Sequence, residues 1–441
     1  MRYLFVDNFR GFTETVVPIR DVNFFVGENS TGKTSLMSLI KLLASPGFWF
    51  QVEFNSEEVK LGDFNDIVSI SSSDRSYFRI GFAEVTTGKN ENQVTQAFLC
   101  TYKEEDGIPT VLDYTTVSSG KQMRFHFGAR SCKYRQEGLL EIHDDSKFIR
   151  NMFLNWANSH KEVGKGYKSF GETMDRREAL VFVPAVLRQM SLTKGISGPS
   201  KSYSYYMPRP FGSIIWLAPI RSRALRTYHG YRVDFSPEGE HTPYLIKKYL
   251  SRRTKEEQRR AVKFIKFIQR FGRESGLFKS IAIREYDRRS KTSPFELDII
   301  LTDEALRLDN VGYGVSQCLP VIVEIFVRAR DSWFAIQQPE IHLHPRAQGA
   351  IGDLIFQLAL IEKKKFIIET HSDFILDSYR LNYRSKKYRN RPASQIVFFE
   401  RTTTGNVLHE IEILENGEIS DNQPEAYRTF FLKEQMRLLG L

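Results

Sequence analysis

Residues 27 to 34, Gly-Glu-Asn-Ser-Thr-Gly-Lys-Thr, carry the spacing G-x-x-x-x-G-K-T. In such a loop, Gly27 and Gly32 let the backbone turn tightly, so that successive N–H groups converge on phosphate oxygens. Lys33 neutralises charge on the β- and γ-phosphates, and the Thr34 hydroxyl is a ligand for Mg²⁺. Asn29, Ser30, Thr31 and Ser35 complete the residues expected to touch a nucleotide. The chemistry is the binding, or the hydrolysis, of a nucleoside triphosphate.

Three more groups lie far downstream. Gly312, Gly314 and Ser316, in "LDNVGYGVSQ", form a small-residue loop expected to open onto a helix from Gln317, offering N–H donors at its N-terminus. Taken alone, an ordinary Gly-rich turn capped by Ser316 is the competing reading. An apolar run, Trp333 to Ile336, ends in Gln337-Gln338-Pro339-Glu340, and a second run ends in Glu369-Thr370-His371-Ser372-Asp373. Glu340, His342 and His344 could be read as a metal cluster, but nothing nearby in the sequence completes it.

These residues need strands and helices to place them. "RYLFVDNF" and "DVNFFV" alternate as strands, and "KTSLMSLIKLL" reads as the helix after the loop, the strand–loop–helix context that the motif requires. From about 78 to 130, short aromatic and β-branched runs between turn residues predict an antiparallel meander. Residues 145 to 275 read as mainly helical, apart from a buried strand in "GSIIWLAPIRSR", and 197 to 212 read as an exposed loop. After 280, "KSIAIREY", "FELDIILT", "WFAIQQ", "KFIIET" and "IVFFER" alternate with helical stretches at 315–329, 345–361 and 373–383, which predicts a mostly parallel α/β sheet. The expected division is 1–145, an N-terminal part with the phosphate loop and a β lobe; 146–278, a helical insertion; and 279–441, a C-terminal part. No heptad array or internal repeat is present.

The chain has 441 residues, 41% of them apolar, and Lys+Arg exceed Asp+Glu by 63 to 53. A folded core is affordable, and the basic excess favours nucleic acid or an acidic partner. The excess is concentrated in 247–273, read as one amphipathic helix with Leu250, Val262, Ile265, Ile268 and Phe271 on its apolar face, and in 379–391. No run is long enough to span a bilayer, and Asp7 and Arg10 interrupt any signal-peptide core, so a soluble cytoplasmic protein with no membrane partner is expected. Cys100, Cys132 and Cys318 suit neither a disulfide framework nor a zinc site and read as buried thiols.

In their order, "NFRGF", "GENSTGK", "LAPIR", "VGYGVSQ", "PEIHLHP" and "THSDF" resemble the ABC-type ATPase heads of the SMC, RecF and OLD class. Among these, the sequence looks most like the compact ATPase subunits of prokaryotic anti-phage systems such as PARIS, Septu and retron-associated defence. The resemblance covers both ends of the chain and Trp216 to Arg221. It implies an α/β head with an antiparallel β subdomain and a mainly helical insertion. It also implies ATP and Mg²⁺ as cofactors, and a homodimer or higher even-numbered assembly. There each ATP lies between one copy's loop and the other copy's Gly312, Gly314 and Ser316. His371 takes the place of the γ-phosphate-sensing histidine, His342 to Pro345 the interface loop, and Asn8 and Arg10 lie near the nucleotide. The resemblance further implies a separate effector chain, a nuclease, because only a short segment without a metal-nuclease acidic set follows His371.

Such heads carry a carboxylate at 337 for Mg²⁺ and often a second at 338 for the attacking water. Gln337 and Gln338 offer neutral amides instead, and losing a catalytic carboxylate costs on the order of 10²- to 10⁴-fold in turnover. A natural slow switch, charge supplied by Glu340 or Glu369, and a trapping replacement at 337 are the three explanations, the last favoured. ATP binding with weak hydrolysis is therefore expected. The alternatives in function are a DNA-repair ATPase clamping duplex DNA, and an ATP-gated scaffold without turnover.

Overall fold

The computed structural model describes residues 1–87, 92–118, 121–129, 131–138, 145–159, 166–170, 176–183, 208, 210–230, 234–250, 254–287, 290, 292–302, 304–385, 388, 390–421 and 423–430. In chain order the strands begin with β1 (Arg2–Asp7), β2 (Thr15–Ile19) and β3 (Val22–Gly27). They continue through β4 (Tyr77–Thr87), β5 (Asn92–Glu105), β6 (Ile108–Ser118), β7 (Lys121–Phe127), β8 (Cys132–Glu137) and β9 (Lys168–Phe170). The last are β10 (Ile214–Leu217), β11 (Ser280–Glu285), β12 (Phe295–Ile300), β13 (Ala305–Arg307), β14 (Trp333–Gln337), β15 (Lys365–Glu369), β16 (Ser394–Thr402) and β17 (Gly405–Glu412).

The chain forms two compact units, Met1–Arg20 with Glu28–Ser213 and Phe399–Glu410, and Asp21–Gly27 with Ile214–Phe398 and Ile411–Leu441. Positions 145 and 278, the expected segment boundaries, both fall inside a unit. The helices expected to form one insertion are divided between the units: Ser146–Ser159 belongs to the first, Thr242–Leu250 and Lys255–Ser275 to the second.

The first unit is built on an eight-stranded sheet in the order β2-β1-β4-β5-β6-β7-β8-β9, with antiparallel neighbours. Alternate side chains Tyr3 and Phe5, Ala83 and Val85, and Ala97 and Leu99 line one face, as a period of two requires. Ile149, Met152, Phe153 and Trp156 of the helix Ser146–Ser159 cover that face, and Phe5 stacks on Phe153 at 4.8 Å. A Cβ at Gly81 would lie 2.8 Å from the Phe153 ring, so glycine makes room for it. The stretch between "RYLFVDNF" and "DVNFFV", expected as a connection, holds β2, which forms a hairpin with β1, and β1 joins the meander.

The second unit holds β10, β14, β15 and β3 as parallel neighbours, and β16 continues the order. Phe24, Val26, Phe334, Ile336, Phe366 and Ile368 are fully buried, the continuous apolar pattern of parallel strands. The helices Tyr313–Val327, Pro345–Glu362 and Asp373–Leu381 pack in the same core. β11, β12 and β13 form a separate antiparallel sheet, so "KSIAIREY" and "FELDIILT" lie outside the mostly parallel sheet expected after 280.

The basic stretch 247–273 holds two helices, because Thr254 starts the second: its hydroxyl accepts from the Glu257 N–H, and the Glu257 carboxylate accepts from the Thr254 N–H. The buried face is Ala261, Phe264, Ile268 and Phe271, while Val262 is exposed. All three cysteines are buried and free. Among the described residues, no helix is long and apolar enough to cross a membrane. The loop expected over 197–212 lies largely outside the described residues.

Candidate nucleotide-binding and hydrolysis site

β3 ends at Gly27 (φ 143°), and the chain turns through Ser30 (φ 63°) and Gly32 (φ 92°) into the helix Lys33–Leu43. At Gly32 only glycine fits: the φ is left-handed, and a Cβ would meet the Phe12 ring at 2.5 Å. Within the first unit, the Lys33 ammonium and the Thr31 hydroxyl both donate to the Glu28 carbonyl, at 2.6 and 2.8 Å. Arg401 Nη2 donates to the Ser30 carbonyl at 2.6 Å. Two loop carbonyls, the groups that would repel an anion, are thus held by cations and a hydroxyl. The helix has no side-chain N-cap and no acidic residue in its first turn, so its leading N–H groups suit an anion. Lys33 is buried and Thr34 exposed, and together with the loop they fit a triphosphate with its Mg²⁺.

Asn8 and Arg10 have structural partners in this unit. The Asn8 amide donates to the Asp74 and Tyr77 carbonyls at 2.7 and 2.6 Å, and Arg10 Nη2 donates to the Leu61 carbonyl. Burial lowers the Arg10 pKa, with Asp66 opposing.

In the second unit, three of the expected segments leave the sheet from one edge. β14, β15 and β3 are parallel neighbours, so Gln337, Glu369 and Gly27 stand together at their C-terminal ends. This is where parallel sheets place ligands. Gln337 and Glu369 are register partners, and Gln337 Nε2 donates to Glu369 Oε2 at 3.1 Å. A carboxylate therefore sits beside the neutral amide. Gln338 takes the left-handed φ of 41°, and its N–H donates to the Glu369 carbonyl at 2.8 Å.

Glu340 bridges onward. Its Oε1 accepts from the His371 N–H at 2.7 Å, fixing the start of the segment after β15. Burial raises the Glu340 pKa, while the His371 N–H, its own N–H, the Thr370 hydroxyl and Arg221 oppose the shift. Ser372 then caps the next helix, accepting from the Ile375 N–H at 3.1 Å.

The glycine-rich segment differs from expectation. Its helix starts at Tyr313, one turn before Gln317, with Gly312 as the cap. Ser316 is therefore inside the helix, buried, and its hydroxyl donates to the Tyr313 carbonyl at 2.9 Å. Gly312 is exposed, and a Cβ there would meet nothing within 4 Å, whereas a Cβ at Gly314 would lie 2.6 Å from the His342 carbonyl. Gly314 thus lets the helix start press against the turn of His342 to Pro345. His342 and His344 are exposed on either side of buried Leu343. Among the described residues, no group of three or more His, Cys, Asp or Glu could hold a metal, which leaves the Glu340–His342–His344 cluster without support.

Glu369, one of the two carboxylates expected as a source of charge, is thus the one that touches Gln337, whereas the role of Arg221 is not evident in the sequence. Arg221 is buried, its Nη2 donates to the Gln337 carbonyl at 2.9 Å, and its backbone pairs with Gln317. The signal was a charged residue in the turn that follows a buried strand, two positions after Pro219 in "LAPIR".

No curated protein matches the sequence. Among solved structures, the SMC head domain from Thermotoga maritima is similar at 12% identity and a TM-score of 0.36, covering 94% of this chain and 100% of that one. An Smc head domain with an extended coiled coil, bound to the C-terminal domain of ScpA and derived from Pyrococcus furiosus, is similar at 11% identity and a TM-score of 0.35, covering 99% and 100%. The sequence matches the AAA ATPase domain family over residues 1–155 and 242–376, more than half of its length, and the chain belongs to that family.

Proposed function

We propose that the protein is an ATP-binding and hydrolysing scaffold of a prokaryotic anti-phage system, in which ATP-driven pairing of heads controls a separate nuclease effector. The observation that carries the ATP part is the loop from Gly27 to Thr34, whose carbonyls are held by Lys33, Thr31 and Arg401 and whose helix start is uncapped. Lys33 holds phosphate charge, Thr34 binds the metal, and Gly312 with the first turn of its helix meets the nucleotide of a second copy. Bound Mg²⁺ supplies charge neutralisation at the β- and γ-phosphates. Glu369, paired with Gln337, and Glu340, paired with the His371 N–H, supply carboxylates here, and His371 reports on the γ-phosphate. The effector part rests on the resemblance of the motif set to stand-alone defence ATPases.

A second reading, a DNA-clamping ATPase, is favoured by one feature. Arg259, Lys263, Lys266, Arg270 and Arg273 are all exposed along the helix Lys255–Ser275, at spacings of three and four that form one stripe.

The test is ATP turnover and assembly mass for the unaltered chain beside Lys33→Ala, Gln337→Glu and Gln338→Glu. Turnover restored by one glutamate, with ATP binding lost in Lys33→Ala, supports the ATPase. ATP-independent assembly with no ATP binding sinks it. Co-purification of an effector with the unaltered chain separates the scaffold from the clamp, which should instead bind duplex DNA in an ATP-dependent way.

A further inference from the structure

Arg221 joins two segments that the ATP-sandwich reading assigns to different nucleotides. On one side, Gln317 of the helix Tyr313–Val327 exchanges a reciprocal pair with the Arg221 backbone. Its Oε1 accepts from the Arg221 N–H at 3.1 Å and its Nε2 donates to the Arg221 carbonyl at 3.2 Å. On the other side, Arg221 Nη2 donates to the carbonyl of Gln337, the last residue of β14, at 2.9 Å. Gln317 is 2% exposed and Arg221 3%, so water does not compete for these bonds.

A buried arginine is a costly way to fill this space. Apolar residues of similar volume pack without a desolvation penalty. Burial draws the Arg221 pKa down to about 10, with Cys318 and Glu340 opposing. Its Nε and Nη1 have no protein hydrogen-bond partner among the described residues, and neither has Glu340 Oε2. Glu340 in turn holds the His371 N–H. One arginine is thus fixed to the glycine-rich helix by its backbone, to the end of β14 by its guanidinium, and to the His371 segment through the field of Glu340.

We propose that Arg221 is a positioning residue that couples the glycine-rich helix to the C-terminal ends of β14 and β15, making the two ATP sites of a head pair cooperative. The inference rests on the ATP-sandwich reading given above. In a head-to-tail pair, one copy presents its Gln337 end to one ATP and its Gly312 loop to the other. A shift of β14 on binding at the first is passed through Arg221 and Gln317 to the second.

The experiment titrates ATP against the full chain, reading ATP affinity, the Hill coefficient and assembly mass, for the unaltered protein, Arg221→Lys, Arg221→Met and Gln317→Met. Melting temperature is followed in parallel. The expected result is that the variants bind ATP within about threefold of the unaltered chain, while the Hill coefficient falls to 1 and ATP-driven assembly weakens by roughly 5- to 150-fold. The double variant Arg221→Lys with Gln317→Met should be no worse than either single one, because both act on one link. Should Arg221→Met fail to fold, Gln317→Met, which leaves the charge in place, decides. Unchanged cooperativity in folded variants overturns the link while the sandwich stands. ATP that drives no assembly of the unaltered chain overturns the sandwich and the link together.

Discussion

Gln337 and Glu369 face each other as register partners at the ends of two parallel strands, and the amide of the first donates to the carboxylate of the second at 3.1 Å. A glutamate at 337 would put two negative charges in that place. Their repulsion is on the order of 1–4 kcal/mol at an effective dielectric of ~20. Gln337→Glu should therefore melt earlier than the unaltered chain in EDTA and recover with Mg²⁺ and ATP. Turnover should rise about 10²- to 10⁴-fold. Differential scanning with and without the metal checks the first part, and phosphate release the second.

Glu340 gives the stability of the second unit a pH dependence. Its carboxyl is raised by burial, so the folded chain holds the proton more tightly than the unfolded one does. The stabilisation is complete below the unfolded value of about 4.3 and is lost as pH rises through the folded value. Glu340→Gln keeps an acceptor for the His371 N–H and removes the titration. Relative to the unaltered chain, its melting temperature should climb as pH is raised from about 4 to 7. Parallel curves across that range would contradict this.

The two glycines of the 312–316 segment should separate packing from ligand contact. Gly314→Ala forces a methyl to 2.6 Å from the His342 carbonyl and should cost about 1–3 kcal/mol of stability. Gly312→Ala has open space and a φ of −53°, so its stability should change by less than about 0.5 kcal/mol. Any loss of ATP-driven assembly in Gly312→Ala is then a ligand effect, and paired denaturation and assembly measurements read both.

If the exposed stripe on the helix Lys255–Ser275 meets a phosphate backbone, Lys263→Glu with Lys266→Glu should weaken duplex binding and flatten its salt dependence. The expected change is about 0.9 in the slope of log K against log salt for each lost phosphate contact. Arg270 is a poorer probe, because it already pairs with Glu274 at 2.8 Å. A slope that does not move assigns the stripe to a protein partner.

The strand–loop–helix around Lys33 was legible because every level agreed: buried strand, two glycines and an uncapped helix. β2 was missed because "TVVPI" contains Pro18, which argues against a strand unless the strand lies at an edge, as β2 does. The break at Thr254 was readable as a Thr-x-x-Glu capping box but was hidden by the charge pattern running through it. The helix start at Tyr313 was not readable, since Gly314 is tolerated in its first turn only because His342 packs against it. The same limit hid the role of Arg221, whose partners Gln317 and Gln337 come from elsewhere in the chain.

The borders of the eight-stranded sheet bear on how copies can associate. An open strand border is a template for another chain. β2 interrupts its own border with Pro18, which offers no N–H, and β9, at the opposite end, is three residues long and begins with a lysine. Among the described residues, neither border offers a long uninterrupted strand onto which a second sheet could grow, so crowding during synthesis should not drive strand-by-strand fibre growth from β2 or β9.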